Sequence, residues 1–87
     1  MQQRDLTMRG KIALVTGASS GIGRNFSKVL AVAGAQLIVV ARRKDLLDSL
    51  VSEIEADGGR ASAIEFDVTQ RDGVAALFDE AERAAGL

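Results

Sequence analysis

The sequence predicts an α/β fold on a parallel three-stranded sheet. Short apolar runs alternate with stretches of helical periodicity, and glycines punctuate most of the junctions between them. Those junctions are short, and strands linked through helices by short loops pair in parallel with right-handed crossovers.

A polar lead-in over 1–10 precedes the first strand, Lys11–Thr16, a β-branched apolar run stopped by Gly17 and patterned like a strand covered on both faces. From Gly21 the apolar residues fall at Ile22, Phe26, Val29, Leu30 and Ala33, one helical stripe of the core-facing kind, with Gly34 as its C-cap. Gln36–Ala41 is a second buried-type strand. Leu46, Leu47, Leu50, Val51 and Ile54 make a second helical stripe that ends at Gly58 and Gly59. The third strand is expected at Ala61–Phe66. A last helix is expected from Arg71 to Ala85, with Val74, Leu77, Phe78 and Ala81 on one face, Thr69 and Asp72 as a variant capping box, and Gly86 at the stop.

The resulting β-α-β-α-β-α order is one mononucleotide-binding half of a doubly wound sheet, with strand order 3-2-1. The expected architecture is therefore a Rossmann-type three-layer sandwich, a single partial domain over residues 1–87. Such a half leaves the first strand with one open edge. An unpaired apolar edge invites association, so these residues are expected to belong to a longer protein.

Composition narrows the chemistry. At 47% hydrophobic and 26% charged residues the chain is neither disordered nor membrane-spanning, and a net charge of −1 gives it no general attraction to nucleic acid or anionic lipid. No apolar run approaches the roughly 18 residues of a membrane helix, and no apolar segment follows the polar N-terminus, so a cytoplasmic location is expected. With no cysteine and no histidine, thiolate catalysis, disulfides and the commonest metal ligands are excluded, and no metal site is expected.

The segment Thr16-Gly17-Ala18-Ser19-Ser20-Gly21-Ile22-Gly23 lies where the first strand hands over to the first helix. Each glycine has its own task there. Gly17 takes the tight turn, Gly21 lets backbone approach a phosphate without a Cβ in the way, and Gly23 lets the helix pack closely on the strand. The first-turn N–H groups and the helix dipole then attract the anion, and Ser19 and Ser20 can add hydroxyl donors. The same residues also spell Gly-x-Ser-x-Gly, the nucleophile elbow of hydrolases, but a serine nucleophile needs a base and the chain has no histidine. A Walker A loop fails because no Gly-Lys-Ser/Thr follows.

This Thr-Gly-x-x-x-Gly-Ile-Gly pattern resembles the signature of short-chain dehydrogenases/reductases. The likeness extends to Gly34-Ala35, Ala41-Arg42-Arg43, Gly58-Gly59 and Asp67-Val68-Thr69, and by it the chain is roughly the first third of such an enzyme. Asn25, Phe26 and Ser27 depart from the small residues expected in the first helix. The resemblance implies hydride transfer between a nicotinamide cofactor and a carbonyl or alcohol substrate. It also implies a homo-oligomer for the complete protein.

In NAD-binding folds of this kind an acidic side chain at the end of the second strand binds the adenosine ribose. Here Ala41 stands in that place, followed by Arg42, Arg43 and Lys44 at a helix start, where the dipole disfavours each cation by about 0.3–1 kcal/mol. A ribose 2′-phosphate would account for them, so NADP(H) is expected rather than NAD(H), with Arg42 as its main reader and Arg43 in support. Arg24, beside Gly23, is a weaker candidate for the same field and reads better as a surface residue of the first helical turn. A solvated turn balanced by Asp45 and Asp48 is the plainer alternative. At the end of the third strand, the resemblance gives Asp67 and the Val68 backbone to the adenine; a turn or cap aspartate is the equal alternative.

The expected cofactor-binding set is Gly17, Ser19, Ser20, Gly21, Ile22, Gly23, Arg42, Arg43, Asp67 and Val68. By the same resemblance the chemistry comes from a serine and a Tyr-x-x-x-Lys pair. The chain has no tyrosine, so no catalytic residue is expected in it. A stand-alone, non-catalytic nucleotide-binding or interaction module is the competing expectation.

Overall fold

The computed structural model describes residues 8–67, 69 and 73–86. It contains β1 (Ile12–Thr16), α1 (Gly21–Val32), β2 (Gln36–Ala41), α2 (Lys44–Ala56), β3 (Arg60–Glu65) and α3 (Val74–Ala85), in the predicted alternation. The sheet is parallel with order β1-β2-β3, which is the expected 3-2-1 order read from the other edge. Its register runs from Ile12 opposite Gln36 to Thr16 opposite Val40, and from Gln36 opposite Arg60 to Ala41 opposite Glu65. Phe66, expected inside the third strand, lies one residue beyond it but still donates its N–H to the Ala41 carbonyl at 2.9 Å.

The middle strand explains the layering. β2 is paired on both edges, and its side chains alternate between two cores. Leu37, Val39 and Ala41 join Val15, Leu47, Leu50 and Ile54 on the side of α1 and α2. Ile38 and Val40 join Ile64, Leu77 and Ala81 on the side of α3. A continuous apolar run is what a strand buried on both faces requires.

The expectation that β1 is covered on both faces is corrected. Val15 is buried in the α1–α2 core, but Ile12 is 42% exposed and Leu14 only partly buried. The reason is that α3 packs over β2 and β3, leaving the other face of the edge strand partly open.

A second correction concerns α1. The residues that stand out in its apolar periodicity face outward: Ile22, Phe26 and Val29 are 88%, 52% and 62% exposed. The packed side instead carries Gly23 and the fully buried Ser27, with Leu30 and Ala31 against the core. Steric contact sets that rotation. A Cβ on Gly23 would stand 2.3 Å from the Gly17 carbonyl oxygen, so only glycine lets the helix come so close to the strand turn. Ser27, one turn on, hands its hydroxyl hydrogen to the Gly23 carbonyl at 2.8 Å, so its burial leaves no polar atom unpaired. Of the other departures from the family pattern, Asn25 and Phe26 are exposed.

In α3, Leu77 and Ala81 are buried as expected, while Val74 and Phe78 are exposed at the rim of that face. Gly86 follows the helix in the left-handed region, as a C-cap. The expected helix start at Arg71, and Asp72 of the proposed capping box, lie outside the described residues.

The contrast between packed and exposed apolar positions gives a stability test. In the 87-residue chain, Leu50→Ala is expected to cost about 2–5 kcal/mol through the cavity it leaves. Val29→Ala should cost less than about 0.5 kcal/mol, as surface positions do. Urea unfolding midpoints of the two variants would measure the difference.

Candidate functional site

The C-terminal ends of all three strands converge on one open recess of about 360 Å³, lined by Gly17, Ser19, Ala41, Arg42, Arg43, Phe66, Asp67 and Thr69. Three stretches distant in sequence are thereby brought together: the glycine loop, the basic turn and the segment after β3. Crevices outside the carboxyl ends of parallel strands are where such sheets bind ligands.

The glycine loop is held at its base and open above. Ala18 is fully buried and its N–H donates to the Val40 carbonyl at 3.2 Å, fastening the loop to β2. Gly17 and Gly21 have φ of 66° and 61°, left-handed values that L side chains rarely adopt, and a Cβ on either would meet open space. Ser20 is the N-cap of α1 but its side chain makes no cap hydrogen bond, and the first turn holds no acidic residue. The positive end of α1 thus has neither a side-chain cap from Ser20 nor a first-turn carboxylate to compete with an arriving anion for its N–H groups.

The basic turn divides its charges. Arg43, the N-cap residue of α2, donates from Nε and Nη2 to Asp45 at 3.3 and 3.2 Å. That pairing holds the Asp45 carboxyl below the usual carboxylate range and raises the Arg43 guanidinium. Lys44 pairs with Asp48 at 3.1 Å, one turn along the helix. The solvated-turn alternative therefore describes Arg43 and Lys44. Arg42 differs, making no hydrogen bond or ion pair with any other described residue.

Across the recess, Asp67 Oδ1 accepts the Thr69 hydroxyl at 2.7 Å and the Thr69 N–H at 2.9 Å. These bonds hold its carboxyl below the ordinary range, and the charge of Arg42 adds to the effect. Asp67 is therefore a turn carboxylate. Both hydrogen bonds use Oδ1, and no described residue donates to Oδ2. Val68, the other residue expected there, lies outside the described residues. Glu65, the last residue of β3, is exposed and borders an adjoining recess with Arg42, Phe66 and Asp67.

Of the expected set, Gly17, Ser19, Arg42, Arg43 and Asp67 line the main recess, and Ser20, Gly21, Ile22 and Gly23 continue the loop into α1. Phe66 and Thr69 were not foreseen. Phe66 packs on the α3-side core and also forms recess wall, and a Cβ on Gly73 would stand 2.7 Å from its ring. An aromatic residue at the very end of a strand, just before a turn aspartate, is the signal that could have drawn notice to it. Arg24, a candidate for the phosphate field, reaches α2 instead. Among the described residues, no cluster of three or more acidic side chains could hold a metal, and no helix is long and apolar enough to cross a membrane.

The glycine loop, the basic turn and the segment after β3 all lie within residues 11–87, which match the family model of short chain dehydrogenases. The chain belongs to the short-chain dehydrogenase family. It is similar to a fatty acyl-CoA reductase of Mycobacterium tuberculosis, at 43% identity over 99% of this chain and 29% of that protein. Among solved structures it resembles a short-chain type dehydrogenase/reductase from Mycobacterium marinum, with TM-score 0.86 and 43% identity over 94% of this chain and 33% of that one. It likewise resembles a metagenomic short-chain oxidoreductase in complex with NADP, with TM-score 0.84 and 36% identity over 90% and 35% of the two chains. The chain thus spans about a third or less of the length of these short-chain dehydrogenases.

Two measurements test this geometry. Gly23→Ala would place a Cβ 2.3 Å from the Gly17 carbonyl oxygen, force the backbone apart and is expected to cost about 1–3 kcal/mol, with displaced amide resonances over Gly17–Gly23. In an NMR pH titration Asp67 should lose its charge below the ordinary aspartate range, and Thr69→Val should move that transition upward. Because the folded-state pKa is depressed, the stabilisation is present at neutral pH and fades as pH falls through the lowered value.

Proposed function

We propose that the recess takes the adenosine end of NADP(H), and that the chain is the cofactor-binding portion of an oxidoreductase interconverting carbonyl and alcohol groups. The observation that carries the cofactor choice is Arg42: a cation on the recess that makes no hydrogen bond or ion pair with another described residue, directly after Ala41, where NAD-binding folds place a carboxylate. The cradle also fits a pyrophosphate, because Gly21 presents bare backbone to open space beside the uncapped end of α1.

In this reading the backbone N–H groups of Gly21, Ile22 and Gly23 orient the pyrophosphate, and the hydroxyls of Ser19 and Ser20 donate to it. Arg42 binds the 2′-phosphate through its planar fork, and Arg43 supports it by exchanging Asp45 for phosphate. Asp67 accepts the adenine amino hydrogen, next to the Val68 backbone. The bound cofactor would supply the hydride chemistry. With no tyrosine in the chain, the proton-transferring Tyr-x-x-x-Lys pair belongs to other residues of the complete protein. That protein, in this reading, is cytoplasmic, acts on a small carbonyl or alcohol substrate and assembles with copies of itself.

Titration with NADP+ and separately with NAD+, following the backbone amides of Gly17–Gly23 and Ala41–Lys44, tests the assignment. NADP+ is expected to perturb both segments and to bind more tightly. Arg42→Asp should weaken NADP+ roughly 10- to 100-fold, the loss of a charge-assisted contact of about 1.5–3 kcal/mol. Equal affinity for the two nucleotides would overturn the NADP assignment.

A further inference from the structure

The two halves of the recess hang from different helices. The glycine loop is the entry to α1 and the basic turn is the entry to α2, and both are fastened below to the sheet. A ligand that touches both must find them at a fixed separation, and strand pairing alone does not set the positions of the helix ends above the sheet.

Arg24, in the first turn of α1, spans that gap. Its Nη1 donates to the Leu46 carbonyl at 3.3 Å and its Nη2 to the Ser49 hydroxyl at 3.4 Å. The same guanidinium is ion-paired with Glu53, whose other carboxylate oxygen takes Lys28 at 2.8 Å. Leu46, Ser49 and Glu53 follow one another along α2, so one planar fork grips three points of that helix from the residue next to Gly23. The Arg24 side chain is only 22% exposed. Leu46 is in the first turn of α2, next to the Arg42–Lys44 turn. An ammonium group concentrates its donors at one point and cannot hold all three acceptors at once.

We infer that Arg24 is a positioning residue for nucleotide selectivity: it sets the distance from the glycine loop to Arg42, and so favours the cofactor that must reach both. The inference rests on the reading of Arg42 as the 2′-phosphate contact. A displacement of the order of 1 Å between groups that must act together is costly. Both nucleotides are held at pyrophosphate and adenine, but only NADPH must also reach Arg42 with a 2′-phosphate, so NADPH is the more sensitive to the spacing.

The test uses the full-length protein and measures NADPH and NADH dissociation constants by fluorescence, with thermal unfolding alongside, for Arg24→Met, Arg24→Lys and Arg42→Ala. Arg24→Met is expected to weaken NADPH about tenfold, the worth of one lost phosphate contact, and NADH less than about twofold. Arg24→Lys, which keeps the charge and an ion pair with Glu53 but not the fork, should lose most of the same preference, and it serves if Arg24→Met does not fold. Equal weakening of both nucleotides, or an unchanged NADPH-to-NADH ratio while Arg42→Ala abolishes the preference, would overturn the role of Arg24. If Arg42→Ala leaves the preference intact, the 2′-phosphate reading falls and the inference falls with it.

Discussion

The middle strand is bonded along both edges and covered on both faces, and this double enclosure organises the rest of the chain. With Leu37, Ile38, Val39 and Val40 essentially inaccessible, β2 belongs to both cores at once. Desolvating a strand so completely requires that every backbone N–H and C=O find a partner, and parallel neighbours on both sides provide them. The loops that line the recess inherit their placement from it: Ala18 and Phe66 both donate backbone hydrogens to carbonyls at its C-terminal end. The recess is therefore built outward from the most fully enclosed strand.

Where β1 turns into α1, close approach takes over from burial. The contact between Gly23 and the Gly17 carbonyl fixes how α1 is rotated, and the rotation decides what the helix shows to solvent. It brings Ser27 inside, with its hydroxyl satisfied within the helix, and turns Ile22, Phe26 and Val29 outside. Together with Ile12 and Phe78 these leave apolar surface on both sides of the sheet. Packing a helix against the strand turn at this spacing thus favours close backbone approach over hydrophobic burial on α1.

Charge in the recess follows a similar division of labour. Arg43 and Lys44 are balanced locally by Asp45 and Asp48, which eases the placement of cations at the positive end of α2. Arg42 has no such local partner among the described residues, and its field extends across the recess to Asp67. Asp67 is in turn held by Thr69, so the carboxylate is fixed and ionised rather than free to fold onto Arg42.

The amino-acid order by itself determined the alternation of elements, the buried middle strand and the glycine and basic turns, because these are written in local features: period, β-branching, and glycines at handovers. Even Asp67 was readable as a turn residue on local grounds, since its partner is two positions away. The tertiary structure alone decided which side of α1 is packed, because its apolar residues form more than one stripe and a steric contact rather than periodicity chose between them. It alone made Phe66 a wall of the recess, and it alone gave Arg24 partners 22 and 25 positions along the chain. Such pairings depend on how two helices lie on a common sheet, and no local pattern in the sequence encodes that.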